Sequence, residues 1–476
     1  MKRKIFVGSL IRERREAAGI SQADLARRLG ISPSYLNQIE GNQRALTAVL
    51  LVDVARALRI EVAELSDDGA ERLAAHLREM LADPLFSGLA VGPRELRTLA
   101  VSAPKLGRAI LDLHAVYRRT EEKLRDLDAV IDGGRSDGSA HLPFPFDEVR
   151  DYFHDVGNYI DALDRSAEAL AASLWGEAGV SYDGLVGYLA TDLRTRVSTV
   201  GVADAGGDRS RFDPVERHLR LSRGESLPSR KFLLACHIAA ETQGDIIERE
   251  IASAPFRTEA ARAVARLALE NFFAGALLMP YRRFREEAAR QRHDVEVLSD
   301  TFGVSVEQVC HRLSTLQRPA HEGVPFYFLR IDRAGNITKR HSATRLQFAR
   351  TGGACPLWNV HEAFERPGHF LVQVVEMPDG VRYLSVAHAI TKAGGAFGAM
   401  RRHYAVGFGC ELTHAGALVY ADGIDQRAPA EVALIGTNCR LCERADCHQR
   451  AVPPYDGTIG VPSGRRGVLP YGMVRR

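Results

Sequence analysis

The sequence predicts a multidomain chain, mostly α, with an α+β C-terminal part. Three observations carry this. At 476 residues the chain is too long for one core and divides into roughly three or four domains. Helical periodicity with explicit start and stop signals begins near residue 10 and continues far into the chain. From about residue 316 the pattern changes to short alternating runs bounded by turn residues, the signature of strands.

Leu10 to Ala18 reads as a first helix that Gly19 stops. Ser21 is an N-cap for Gln22–Leu29, with Asp24 three residues on imitating a capping box. Gly30 supplies a left-handed turn residue. Ser32 caps the next helix and Pro33 takes its first position, where a missing N–H is harmless. That helix is expected to end at Glu40-Gly41-Asn42, and Thr47–Leu58 to form one more. With Leu25, Ala26, Leu29, Ile31, Leu36 and Ile39 turned inward, this is helix, tight turn and helix.

Charge agrees with that plan. Over residues 1–60, Lys and Arg number 11 and Asp and Glu 5, so this end carries +6 of a formal net charge of only +3. A concentrated basic lobe attracts a phosphate backbone. Composition is otherwise ordinary for a globular protein, at 45% hydrophobic and 26% charged residues. No apolar run approaches the roughly 20 residues that span a bilayer. The basic start, Met1-Lys-Arg-Lys, is followed by too short an apolar stretch for a signal peptide before Arg12–Glu16 intervenes. A cytoplasmic chain with no membrane partner is expected, its seven cysteines reduced or holding metal.

The segment from Ser21 to Arg44 resembles the lambda-repressor/Cro-type (xenobiotic-response-element) helix-turn-helix family along its full length. That resemblance implies an all-α DNA-binding domain over residues 1–66 that reads a double-stranded operator. It directs Ser32, Ser34, Tyr35, Asn37 and Gln38 to the major groove, and Gln22, Asn42 and Arg44 to phosphates.

Residues 67–135 read as long Leu-, Ala-, Arg- and Glu-rich helices, including Glu71–Leu81 and Arg94–Asp132, expected to act as a linker and dimerisation segment. A homodimer, or a dimer of dimers, would set two recognition helices about 34 Å apart, one turn of DNA. Gly133–Ser139 is a flexible break, and a helix follows Pro143–Arg150 to about Leu163.

Within residues 140–315, Lys231–Ala240 and Glu270–Pro280 resemble the two active-site helices of ImmA/IrrE-type zinc metallopeptidases. Those enzymes need HExxH, in which two His hold zinc and the Glu acts as base. Here Cys236 falls on the first ligand position, His237 on the base, Ala240 on the second ligand and Leu269 on the third. Ala and Leu offer zinc no donor, so a degenerate, non-enzymatic domain is expected. A metalloprotease that cleaves a repressor is the competing reading.

In residues 316–476, Pro325–Ile331 with Ile337 onward, and Phe370–Glu376 with Val381–Ala387, read as hairpins, and His403–Gly409 as a further strand of an antiparallel sheet. Cys439-x2-Cys442-x4-Cys447 brings three thiols into one loop, with Cys410 expected to supply a fourth. Such a set suits a four-iron cluster or structural zinc, or else holds no metal, buried Cys being often a small hydrophobe.

Together, the repressor-type helices, the decayed peptidase-like middle and Ile435–Ala451 resemble the bacterial short-chain fatty acyl-CoA-responsive regulators, among them regulators of propionyl-CoA carboxylase, the methylcitrate cycle and the glyoxylate shunt. The resemblance implies a short-chain acyl-CoA effector, propionyl-CoA foremost, and in some relatives a 4Fe-4S cluster on these cysteines. CoA phosphates call for Arg or Lys, which Lys339, Arg340, Arg345, Arg350, Arg401 and Arg402 offer, and Trp358, Tyr404 and Phe408 offer apolar or stacking surface. Arg401, Arg402, Tyr404 and Trp358 form the expected ligand set. A redox or iron–sulfur sensor with the cysteines as its input is the alternative.

Overall fold

The computed structural model describes residues 8–41, 44, 48–58, 68–86, 89, 91–131, 145–176, 179–202, 204, 207–346, 348, 353–392, 401–426, 431–444, 446–454, 458–461, 464, 467–469 and 471–474. Asn42, Arg350 and the Gly133–Ser139 break lie outside them. Two compact units result: Met1–His141 with Pro454–Ile459 and Met473–Arg476, and Leu142–Pro453 with Gly460–Gly472. No single helix among the described residues is long and apolar enough to cross a membrane.

The first unit begins with α1 (Gly8–Ala17), α2 (Gln22–Arg28), α3 (Pro33–Glu40) and α4 (Ala48–Leu58). The caps form as the sequence demands: the Ser21 and Ser32 side chains accept from the Asp24 and Tyr35 amides, and Gly30 sits at φ +65°. Ile11, Leu25, Ala26, Leu36, Ile39, Leu50, Val54 and Leu58 make the core. One buried ion pair ties the first and third helices, Arg15 Nε to Glu40 Oε1 at 2.7 Å.

Next come α5 (Asp68–Leu81), α6 (Pro93–Ser102) and α7 (Pro104–Ile131). The single helix expected over Arg94–Asp132 is thus two. Ala103 takes φ −143°, ψ 61°, since a residue before proline is pushed out of the helical region, and Pro104 opens the second helix at its first position.

The second unit starts with α8 (Pro145–Asp155), α9 (Asp161–Trp175) and α10 (Tyr182–Thr191). Gly157 and Asn158, both at positive φ, interrupt the helix expected to run to Leu163. Three strands that the sequence reading did not anticipate follow, β1 (Arg196–Val200), β2 (Ser210–Asp213) and β3 (His218–Ser222), in the order β1-β3-β2 with the β1–β3 pair parallel. The helical layer is completed by α11 (Leu227–Thr242), α12 (Gly244–Ser253), α13 (Glu259–Leu278), α14 (Tyr281–Arg290), α15 (Val295–Phe302) and α16 (Val306–Leu313).

The sheet region contributes β4 (Tyr327–Asp332), β5 (Ile337–Ser342), a short α17 (Asn359–Glu362), β6 (Phe370–Glu376), β7 (Arg382–Lys392), β8 (Arg402–Glu411) and β9 (Ala433–Leu434). The strand order is β5-β4-β8-β7-β6-β9, antiparallel except for the β6–β9 edge. Alternation divides the side chains between two faces. Phe326, Phe328, Leu384, Val386, Val406, Phe408 and Cys410 join the helical layer in one large core. Tyr327, Leu329, Ile331, Tyr383, Ala387 and Ala405 pack on the other side with Trp358, Val360 and Ile435. Gly407 is required there: a Cβ on it would lie 2.6 Å from Val360 Cγ1, against the short helix.

Helical layer and sheet are joined at Asp164, which is fully buried on α9. Its two oxygens meet Arg312 Nη2 and Arg318 Nη2 at 2.6 Å each. Arg318 also donates to Glu168 at 2.8 Å and to the Tyr159 hydroxyl at 2.9 Å, and Arg312 to the Met279 carbonyl at 3.0 Å. Removing one partner of such a set strands buried charge, at a cost of about 3–5 kcal/mol. Asp164→Ala is therefore expected to lower unfolding stability by that order in urea titrations. A variant of unchanged midpoint would show the clamp to be dispensable.

Candidate functional site

Three places gather chemistry. The first is the outer face of α3. Ser32, Ser34 and Asn37 are exposed, and Tyr35 and Gln38 half-buried. Gln22 Nε2 donates to Glu40 Oε2 at 2.9 Å and to Asn37 Oδ1 at 3.3 Å, so a residue expected on phosphate is wired to one expected on a base. Glu40 receives Arg15 as well, at 2.7 and 3.0 Å, and these bonds hold the Arg15 guanidinium above its ordinary pKa. Arg44 stacks over the Tyr35 ring, 4.7 Å from its centroid. The α3 face is thus pre-set by charge-assisted bonds beneath it.

The second place is where the peptidase-like helices lie. Cys236 donates from Sγ to Asn271 Oδ1 at 3.2 Å, and burial pushes its thiol pKa up, with Glu270 adding to the effect. His237 packs on the Phe212 ring at 4.3 Å, its Nε2 is buried without a hydrogen-bond partner, and burial depresses its pKa. Ala240 is exposed and Leu269 fully buried in the core. One thiol and two side chains without donors do not build a catalytic zinc centre.

The space beside that helix is lined instead by cations. Strand pairing puts Arg330 beside Lys339 and Val406, Tyr404 beside Ile390, and Lys392 beside Arg402. By alternation all five polar residues among these belong to the sheet face that packs on the helices. From α16, Glu307 reaches into this group. Arg330 Nη1 and Lys339 Nζ bind Glu307 Oε1 at 2.9 and 3.0 Å, and Lys392 Nζ binds Oε2 at 2.6 Å. Burial alone would raise the Glu307 pKa, but Lys339, Lys392 and Arg330 hold it well below the usual carboxylate range. Arg330 also lies over the Tyr404 ring at 4.3 Å.

Arg209, paired with Glu225 at 2.9 Å, and Cys236 extend the wall: Cys236 feels the charges of Arg209 and Lys339, and Glu225 that of Arg402. Lys339 keeps 48% of its side-chain surface open while surrounding protein depresses its pKa. Lys339 thus stands at the solvent edge of the cluster. One carboxylate facing three cations leaves this cluster with an excess of positive charge.

Of the four expected ligand residues, Arg402 and Tyr404 belong to this face. Arg401 precedes β8 and is exposed. Trp358 is corrected: it is only 3% exposed, stacks on Phe348 and donates its indole N–H to Ser385 at 2.8 Å. It belongs to the core on the opposite face. Arg330 and Lys392 went unnoticed in the sequence because strand pairing is what collects them, and Arg209 and Glu307 because they join the group from outside that sheet. Their one local signal is that Arg330, Lys339, Lys392 and Arg402 are basic residues within or at the ends of strands.

The third place is the cysteine loop. Cys439, Cys442 and Cys447 line a small concavity together with Cys355, Gly436, Asn438, Arg444 and Arg450. The fourth thiol is therefore Cys355, and the expectation of Cys410 is corrected. Cys410 shares its β8 parity with Val406 and Phe408, which turns it into the helix-facing core, away from this loop. Arginines shape the loop through backbone carbonyls: Arg450 donates to those of Cys439, Cys442 and Arg444, and Arg444 to those of Ile435 and Glu376. Burial raises the Cys355 thiol pKa, and Cys439 and Cys442 add to it.

Thiols are the donors that a four-iron cluster or structural zinc takes. A Cβ on Gly436 would stand 2.7 Å from Cys442 Sγ, so glycine keeps the space beside that thiol open. Among the described residues, however, no three Cys, His, Asp or Glu side chains converge as metal ligands do. The donor types fit a metal; their arrangement does not.

Comparison with known proteins assigns each region a counterpart. Residues 315–471 match the family model described as "Short-chain fatty acyl coenzyme A regulator, C-terminal", residues 190–314 the IrrE N-terminal-like domain, and residues 11–65 a helix-turn-helix. The chain is 48% identical over 474 residues, all of both chains, to a propionyl-CoA carboxylase regulator of Cereibacter sphaeroides. It is 40% identical to the transcriptional regulator RamB of Mycobacterium tuberculosis over 98% of each chain, and 37% identical to PrpR of that organism over 98% of this chain and 96% of PrpR. A solved structure of a Mycobacterium tuberculosis transcriptional regulator, 40% identical, superposes with a TM-score of 0.66 over 69% of this chain and all of its own.

The double variant Tyr35→Ala, Gln38→Ala is expected to lose sequence-specific operator binding, at about 1–3 kcal/mol per lost base contact, while salt-sensitive binding to arbitrary DNA persists. Gel-shift titration against matched and scrambled operators, with a thermal melt to certify folding, is the measurement. Undiminished specificity in the folded variant would remove these two residues from the interface.

Proposed function

The chain belongs to the short-chain fatty acyl coenzyme A regulators, helix-turn-helix transcriptional regulators, and we propose that it controls genes of short-chain acyl-CoA metabolism by binding an acyl-CoA, propionyl-CoA foremost, at the basic cluster around Glu307 in its second unit. The observation that carries this is the excess of cations around Glu307. Arg330, Lys339 and Lys392 share one carboxylate, and an incompletely neutralised cluster of this kind favours a polyanion such as the phosphates of CoA.

On this reading Glu307 stands in for a phosphate, and Arg402 and Tyr404 add charge and stacking surface. The helix-turn-helix reads the operator through Ser32, Ser34, Tyr35, Asn37 and Gln38, while Gln22, Asn42 and Arg44 hold phosphates. The chain acts as a homodimer and as a regulator, not a peptidase. Effector and operator binding are coupled by about 1–3 kcal/mol, which changes operator affinity roughly 5–150-fold.

Calorimetric titration with acetyl-, propionyl- and butyryl-CoA, against free CoA and the free acids, tests the reading. Tight binding of one acyl-CoA with weaker binding of CoA supports it, and binding of none overturns it. Glu307→Gln removes the internal competitor for the cations, so acyl-CoA should bind about tenfold tighter (~1.4 kcal/mol). Weaker binding would instead make Glu307 a support of the pocket.

The four-thiol concavity favours a second reading, in which the cysteine loop receives a redox or iron–sulfur signal. Cys439→Ser with Cys442→Ser separates the two. An acyl-CoA response that survives in this variant excludes the loop as the required input.

A further inference from the structure

The 28-residue helix α7 is about 42 Å long, and over residues 104–118 its side chains divide between a packed and an exposed side. On one side Leu111 packs on the cluster of Leu73, Ala74, Leu77, Met80, Leu96 and Ala100, and half-buried Ile110 stands at the edge of that contact, where the exposed side begins. A Cβ on Gly107 would come within 3.1 Å of Leu73. His114 and Arg118 on this side bind Asp83 at 2.8 and 3.2 Å.

The adjacent side carries Leu106, Leu113, Val116 and Tyr117, which are 55%, 71%, 48% and 40% exposed. Isolated exposed apolar residues need no explanation, but a continuous stripe of large ones on a charged helix marks a contact surface.

Its spacing identifies the occupant. Leu106, Ile110, Leu113 and Tyr117 are separated by four, three and four residues, and the sequence continues the alternation through Thr120, Leu124, Leu127 and Ile131. Seven of these eight positions are apolar, a heptad seam sustained over almost four repeats. A period of 3.5 rather than 3.6 keeps a stripe on one side only if the helix supercoils around a partner of the same period. Three to four such heptads are enough to call for a coiled coil. The partner with a matching period that this chain itself guarantees is a second copy of α7.

We infer that the exposed Leu106–Leu113–Tyr117 stripe of α7 is the seam of a two-stranded coiled coil between two copies of this chain. The inference rests on the homodimer reading above and adds the surface that makes the dimer. Pairing through α7, which follows the helix-turn-helix in the same compact unit, ties dimer formation to the delivery of two recognition helices to one operator.

Sedimentation velocity of the full chain tests it, with Leu113→Glu plus Tyr117→Glu as the disruptive variant and Arg108→Glu, off the stripe, as control. Each copy would bury two carboxylates in the seam, a placement that burial strongly disfavours. The seam variant should be monomeric at concentrations where the wild type and the control are dimeric, its dimer dissociation constant raised about a hundredfold or more, with unchanged far-UV circular dichroism. Its operator affinity should fall while binding of the acyl-CoA found by calorimetry is unaffected. A variant that stays dimeric overturns the seam and leaves the dimer standing. A monomeric wild type overturns both.

Discussion

The second unit depends on a carboxylate with no solvent. Asp164 sits on α9, yet both its cationic partners come from the short stretch that leads out of the helical layer and into the sheet. Arg312 ends the region matched by the peptidase-like model and Arg318 begins the region matched by the C-terminal one. The two matched regions are therefore fastened to one carboxylate, and the core built by the helices and the helix-facing side of the sheet is continuous across the boundary. Burying these three charges is costly in isolation. What it secures is a fixed register between the helices and the strands, and Glu307 from α16 can meet Arg330, Lys339 and Lys392 only in that register.

Alternation along the strands then sorts the chemistry. Arg330, Lys339, Lys392, Arg402 and Tyr404 share the helix-facing side with Phe328, Val406 and Phe408, so the face is apolar in one part and basic in another. On the other side lie Trp358, Ile435 and, beyond the β6–β9 edge, the cysteine loop. The cation cluster and the cysteine loop are consequently separate environments within one unit.

Legibility in the sequence followed the range of the interactions. The helix-turn-helix could be read almost residue by residue because Ser21, Gly30, Ser32 and Pro33 act on their immediate neighbours. The hairpins at β4–β5 and β6–β7 were legible for the same reason. Pro104 was a local signal as well, but periodicity that runs on from Arg94 masks it. Cys410 and Trp358 were misplaced because spacing gives Cys410 the parity of Val406 and Phe408 but does not say on which side of the sheet the cysteine loop or the segment of Trp358 packs. Cys355 lies 84 residues before Cys439, in a stretch with no motif of its own. Glu307 was equally silent: a glutamate in the first turn of a helix is commonplace until three strands bring cations to it.

The peptidase-like half shows how a site can keep its place and change its sign. A catalytic zinc centre requires donors that concentrate negative potential around a dication. Here the ligand positions hold Cys236, Ala240 and Leu269, of which Ala240 and Leu269 can donate nothing and Leu269 has been absorbed into the core. The remaining thiol faces Arg209 and Lys339, with Glu270 its acidic neighbour, and burial favours the neutral form of Glu270. Lys339, supplied by the sheet, and Arg209 act on the thiol that remains there. Cations in that position disfavour a bound dication and favour an anion, as the proposed acyl-CoA reading requires.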